Sequence, residues 1–144
     1  MKLINLLVCL IAPLTLVAEG TSSILKSQGY ECTIKGMYYL SDEGVIAQYS
    51  DHPKVRESAK FFIDRGTGRA VGAIKNHNTT TYGVFEPEVV DKGNQEQYFK
   101  AVTIYGSHNP SIQVVRVQEF NDKAKKPFIE SHGGSVTTGT CVNI

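Results

Sequence analysis

Hydrophobic and polar residues alternate along residues 30–40. Tyr30, Cys32, Ile34, Tyr38 and Leu40 fall on one side and Glu31, Thr33, Lys35 and Tyr39 on the other, with Met37 out of phase. A period of two over this length predicts a half-buried strand. The turn residues Ser41, Asp42, Glu43 and Gly44 follow, then a short strand over 45–49. Ser50, Asp51 and Pro53 form a helix-start signal, so residues 54–60 are expected to supply two turns of helix. Residues 75–81 are polar and read as a loop, 82–85 as a strand stopped by Glu86-Pro87-Glu88, and 91–94 as a turn after Val89-Val90. Residues 95–105 form the longest strand candidate. They are apolar on both faces, as expected of a central or covered strand. Residues 112–120 read as a strand whose phase shifts near Val114-Val115, consistent with a bulge. A charged turn (121–127), a short strand (128–130), a turn (131–134) and a last strand (135–142) complete the chain.

Residues 61–73 carry the most specific local signal. Phe61, Phe62 and Ile63 meet a polar turn and then Ala70, Val71, Gly72 and Ala73. Asp64 can accept backbone N–H bonds from the following residues, and Gly68 supplies the positive φ that a four-residue hairpin loop needs at its end. With residues 65–68 as the loop, Asp64 faces Arg69, Ile63 faces Ala70, Phe62 faces Val71 and Phe61 faces Gly72. An Asp64–Arg69 pair is expected to support this register, with the two Phe rings on opposite faces. The glycines could suggest a phosphate loop, but a helix should then follow, and the residues after Gly68 read as strand.

Taken together, the pattern predicts a mainly β fold. It describes a single antiparallel meander of about eight strands, a small barrel or a sandwich, with one short helix.

The N-terminus changes where this domain is expected to live. Lys2 precedes an apolar stretch over 3–17, and Ala18, Glu19 and Gly20 offer a cleavage site after residue 18 or 20. Residues 1–20 therefore read as a signal peptide and 21–144 as one β-rich domain, secreted or periplasmic. Cys9 lies inside the apolar stretch after Val8, which does not fit a lipoprotein site. The apolar stretch is too short and interrupted for a stable membrane span, and no other run is long enough for one. Two cysteines then remain, Cys32 and Cys141. An exported chain with an even pair predicts a disulfide joining the first and last strands, since neither cysteine sits in C-x-x-C or near a histidine.

Fifteen Lys and Arg against fourteen Asp and Glu leave a net charge of +1, which argues against a nucleic-acid binder. The histidines His52, His77, His108 and His132 lack metal-ligand spacing. No serine lies in G-x-S-x-G or S-x-x-K, and His132-Gly133-Gly134-Ser135 reads as a turn. Glu86 and Glu88 flank a proline and are expected to face solvent. Lys123, Lys125 and Lys126 form a solvated turn. Asn78-Thr79-Thr80 matches the N-glycosylation pattern, which matters only in a eukaryotic secretory pathway. No catalytic, cofactor-binding or metal residue is assigned. The strand aromatics are core residues first, and would line a ligand cavity in a barrel with space inside.

Residues 63–69 (IDRGTGR), 90–93 (VDKG), 97–102 (QYFKAV), 117–120 (VQEF), 126–128 (KPF) and 139–141 (GTC) together resemble a group of small secreted bacterial proteins of no assigned function. The resemblance implies a secreted or envelope location and carries no activity. The expectation is an exported, non-enzymatic protein binding a small apolar molecule or a protein partner. The alternatives are a hydrolase assembled from loops, with His108 or His132 beside a carboxylate and a hydroxyl, or an envelope assembly component using a strand edge.

Overall fold

The computed structural model describes residues 28–49, 58–80, 83–106 and 110–144. Eleven strands form among them: β1 (Gly29–Leu40), β2 (Ile46–Gln48), β3 (Lys60–Asp64), β4 (Ala70–Gly72), β5 (Asn78–Thr80), β6 (Gly83–Phe85), β7 (Glu88–Lys92), β8 (Phe99–Tyr105), β9 (Ser111–Val117), β10 (Lys126–His132) and β11 (Ser135–Asn143). Eight of them follow one hydrogen-bonded path, β4-β3-β1-β11-β10-β9-β8-β7, with β2 added to the end of β1 and β5–β6 a separate hairpin. All pairings are antiparallel. The sheet curls into a half-barrel, so the fold is neither a sandwich nor a closed ladder.

Apolar side chains from strands along the whole path fill the concave face. Tyr30, Cys32 and Ile34 of β1, Phe61 and Ile63 of β3, Phe99 and Ala101 of β8, Val115 and Val117 of β9, Phe128 of β10 and Cys141 of β11 are buried there. Rings meet across the concavity. Phe61 and Phe128 pack edge to face at 5.1 Å although β1 and β11 lie between their strands, and Tyr30 and Phe99 meet at 5.3 Å. Gly139 opposes Phe128, and a Cβ there would collide with Thr33 O and the Phe128 ring, so the absent side chain makes room for the phenyl group.

Cys32 and Cys141 stand directly opposite each other on β1 and β11, fully buried and joined in a disulfide across a sequence separation of 109. The expected bridge between first and last strands is present.

The 61–73 hairpin has the expected register: Phe61 faces Gly72, Phe62 faces Val71 and Ile63 faces Ala70. Asp64 N donates to Arg69 O and Gly68 N to Asp64 O, closing the loop, with Gly68 at φ 76°. The expected Asp64–Arg69 ion pair is replaced. The Asp64 carboxylate accepts from Thr67 N and Oγ1 at 2.6 and 2.8 Å, while Arg69 pairs with Glu86 at 3.0 Å. Only Phe61 anchors the core; Phe62 is 46% exposed on the outer face.

Four further expectations are corrected. No helix occurs among the described residues. Most of the 54–60 segment lies outside them, and Ser58 and Ala59 instead bond to Ile34 and lead into β3. The longest strand is β1, because residues 95–98 form a turn in which Glu96 N donates to the Asn94 side chain. β9 runs through Val114-Val115 in unbroken register with both neighbours. The bulge lies in β1, between Ile34 and Gly36, and a second one lies in β7 between Val89 and Asp91. The β1 bulge reverses the phase, so Met37 packs on the core while Leu40 points out, 58% exposed. Finally, the 75–81 loop contains β5.

β4 and β7 end the strand path without pairing to each other, and side chains bridge the seam between them. Arg65 Nε donates to Lys92 O at 2.9 Å and Nη2 to Gly93 O at 3.1 Å. Asn76, buried, donates to Gly68 O and accepts from Ala70 N, while its own carbonyl accepts from Thr103 Oγ1 of β8. A single buried amide thus satisfies backbone groups that a ladder would otherwise pair.

Candidate functional site

The inward face of the half-barrel changes character along its length. One rung runs Ala101–Val115–Glu130–Thr137–Met37 from β8 to β1. The next, nearer the rim, runs Thr103–Gln113–His132–Ser135–Tyr39. The strands keep their inward phase, but the residues in it turn polar. Thr103, Gln113, Glu130 and Thr137 are buried, whereas His132 at the β10–β11 turn is exposed.

These polar groups form a directed chain. Tyr105 Oη donates to Gln113 Oε1 at 2.6 Å, and Gln113 Nε2 donates to Glu130 Oε1 at 2.8 Å. Among the described residues this is the hydrogen bond that the Glu130 carboxylate makes, and Glu130 is 4% exposed. Burial pushes the Tyr105 hydroxyl above the ordinary tyrosine range, and the charge of nearby Glu130 adds to the effect. The Tyr105 ring sits 5.4 Å from His132 and 5.7 Å from Phe85 of β6, so an aromatic cluster borders the chain. His77, next to Asn76, holds a buried Nδ1 without a partner.

At the opposite end, the Arg65 guanidinium meets Glu119 at 3.1 Å, and Tyr30 Oη donates to the other oxygen of that carboxylate at 2.9 Å. Burial, and then the Glu119 charge, hold the Tyr30 hydroxyl well above the usual tyrosine range. Every polar group of this cluster has a partner, and its role is to close the barrel end.

The residues singled out from sequence are structural. Cys32 and Cys141 form the disulfide, and Asp64, Gly68 and Arg69 shape the hairpin and its contact with the seam. Of the histidines, His52 and His108 lie outside the described residues. The His132 ring lies tilted against Tyr105, and Ser135 Oγ donates to the His132 backbone carbonyl rather than its ring, so these two residues do not form a nucleophile–base pair. Lys126 is tied to the carbonyls of Glu119 and Asn121. Among the described residues no three His, Cys, Asp or Glu side chains converge on a point that could hold a metal.

Tyr105, Gln113 and Glu130 belong to no sequence motif. Their signal was positional: Gln113 shares the phase of Val115 and Val117, and Glu130 that of Phe128. A polar side chain in a buried phase calls for a partner or a function.

Two clefts lie elsewhere. One of 260 Å³ is bordered by Tyr98, Arg116 and Ile129 and falls short of the about 300 Å³ at which small-molecule pockets begin. The other, of 350 Å³, is bordered by Gln28, Phe62 and Ile144 at the chain end. Neither contains a buried charged group.

Comparisons with protein-family models, with curated proteins and with solved structures found no match.

Proposed function

We propose that the chain is an exported, non-enzymatic binding protein that takes a small molecule at the polar end of its half-barrel. The observation that carries this reading is the Tyr105–Gln113–Glu130 chain, which ends in a buried carboxylate with one neutral donor. Such an arrangement is costly in a purely structural interior, where buried polar groups normally complete their bonds. The flanking rings of Tyr105, Phe85 and His132 provide apolar contact for the body of a ligand. The disulfide is compatible with an oxidising, extracytoplasmic location, and no helix among the described residues is long and apolar enough to cross a membrane.

A second reading, a protein partner, is favoured by the β1–β2 hairpin. Leu40, Val45 and Ile46 are each more than half exposed there, beside the packed rings of Tyr39 and Tyr49. A hydrolase has less support, because among the described residues the His132 ring meets the Tyr105 ring while Ser135 Oγ donates to the His132 backbone carbonyl.

Backbone-amide NMR during a small-molecule fragment screen separates the readings. Perturbations centred on Tyr105, Gln113, Glu130 and His132 are expected. Perturbations confined to the outer clefts or to residues 40–46 would refute the site.

A further inference from the structure

We propose that the outer face over β8, β9 and β10 docks an acidic segment of a partner protein; this goes beyond the small-molecule reading and does not depend on it. The register sets Lys100, Arg116 and Ile129 side by side across the three strands. Tyr98, Gln118 and Pro127 lie next to them, with Gln118 N donating to Pro127 O. These side chains border the cleft of 260 Å³. Tyr98, just before β8, and Pro127 and Ile129 of β10 flank Arg116 and Gln118 of the middle segment. The Tyr98 ring is braced by Phe120, edge to face at 4.9 Å. Apolar walls thus enclose two polar groups. The volume is too small for a typical small-molecule pocket and suits one anchoring side chain of a partner.

Charge says which partner fits. Arg116 is exposed, and its guanidinium lies over the Tyr98 ring at 6.0 Å. Lys100 stands directly opposite it, and like charges so placed cost a sheet stability. Asp91 bridges to Lys100 at 3.7 Å and offsets part of that charge. The turn leading into Pro127 adds Lys123, Lys125 and Lys126 against Asp122, and the Glu119 carboxylate is turned inward to Arg65 and Tyr30. The whole chain carries only +1, so this excess is local. Tyr, Phe and Arg are the side chains enriched at the centre of protein interfaces, and a guanidinium takes a carboxylate through two parallel bonds. A carboxylate beside an apolar residue matches the cleft. It brings oxygens to Arg116, a backbone amide to Gln118 and carbon to the walls, while further carboxylates reach the exposed Lys123 and Lys125.

The test titrates the disulfide-bonded protein, by NMR and calorimetry, with the end-capped peptide GELEEG, its neutral isostere GQLQQG and a short oligothymidylate. The acidic peptide is expected to bind at least about tenfold more tightly than the isostere, with shifts centred on Tyr98, Arg116, Gln118 and Ile129. Binding should weaken as NaCl rises from about 50 to about 500 mM. Arg116→Gln, at an exposed position, should fold as the wild type does and erase the preference, and Arg116→Lys should restore only part of it. Lys123→Gln/Lys125→Gln should lower the affinity less than Arg116→Gln does. Equal binding of the two peptides, an undiminished preference in Arg116→Gln, or shifts confined to the lysine turn would overturn the proposal. Tighter binding of the oligothymidylate at the same residues would overturn it in favour of a phosphate-bearing partner. None of these results moves Tyr105 or Glu130, so the polar-end reading stands or falls on its own screen.

Discussion

The guanidinium of Arg65 lies 3.1 Å from the carboxylate of Glu119, with both side chains about nine-tenths buried. The two residues belong to opposite halves of the strand path, Arg65 to the β3–β4 turn and Glu119 to the segment after β9. Arg65 also bonds to the carbonyls of Lys92 and Gly93 and lies over the Tyr30 ring at 5.5 Å. A flat, forked cation can make these contacts together, and a lysine cannot.

Arg65→Ala is therefore expected to cost about 3–5 kcal/mol, because it leaves Glu119 buried without its counter-charge. Arg65→Lys should recover only part of the loss. Removing both charges in Arg65→Met/Glu119→Leu should cost less than the sum of Arg65→Met and Glu119→Leu, which with the wild type complete a cycle of four proteins. Urea unfolding of the four proteins measures the coupling. Additive losses would show that the pair does not hold the seam.

Gly68→Val tests the contact between the hairpin and β7–β8. A Cβ at Gly68 would meet Ala101 Cβ at 2.9 Å and Val89 Cγ2 at 3.1 Å, at a φ of 76° that side chains disfavour. Strain and overpacking together predict a loss of about 2–5 kcal/mol. The melting temperature should fall while ligand shifts at Tyr105 persist in the folded fraction. An unchanged melting temperature would contradict the packed seam.

The register of the 61–73 hairpin was legible because its determinants are local: a glycine at positive φ and an acceptor at the turn entrance. The disulfide was legible from the export signal expected of residues 1–20 and from cysteine parity. The bulge was misplaced because both faces of β9 carry apolar residues. Val114 and Ile112 face out beside Val102 and Ile104, so apolarity there did not report burial. Met37, the out-of-phase residue in β1, was the true mark of a bulge. The Asp64–Arg69 pairing failed because Thr67 is a closer local donor and Glu86 reaches Arg69 from across the seam, a contact of tertiary origin. The polar end was invisible for the same reason. Tyr105, Gln113 and Glu130 come from three strands, and only the register places them together.

Breaking the bridge in Cys32→Ala/Cys141→Ala releases a loop spanning 109 positions. The chain-entropy model gives a loss of about 4–5 kcal/mol for a loop of this size. Both sulfurs are buried, so the oxidised wild type should also resist reduction until it is partly unfolded. Paired denaturation curves with and without reductant check the first statement, and the rate of thiol appearance in rising urea checks the second.

Asp64 predicts a specific acid sensitivity. Hydrogen bonds from Thr67 N and Oγ1 hold its carboxyl below the ordinary value of 3.8. A group whose folded pKa is depressed stabilises the fold above its unfolded pKa, and that contribution is lost as pH falls through the folded one. Asp64→Asn keeps an acceptor for Thr67 N but carries no charge and does not titrate. The wild type should therefore be the more stable protein near neutrality. Its advantage should shrink as pH drops below about 4, while the acid limb of the variant is flatter. Melting temperatures of both proteins between about pH 6 and pH 2 give the difference curve. A gap that stays constant across this range would mean that the Thr67 bonds do not distinguish the charged carboxylate from a neutral acceptor, and the turn would then be held by Gly68 and the backbone alone.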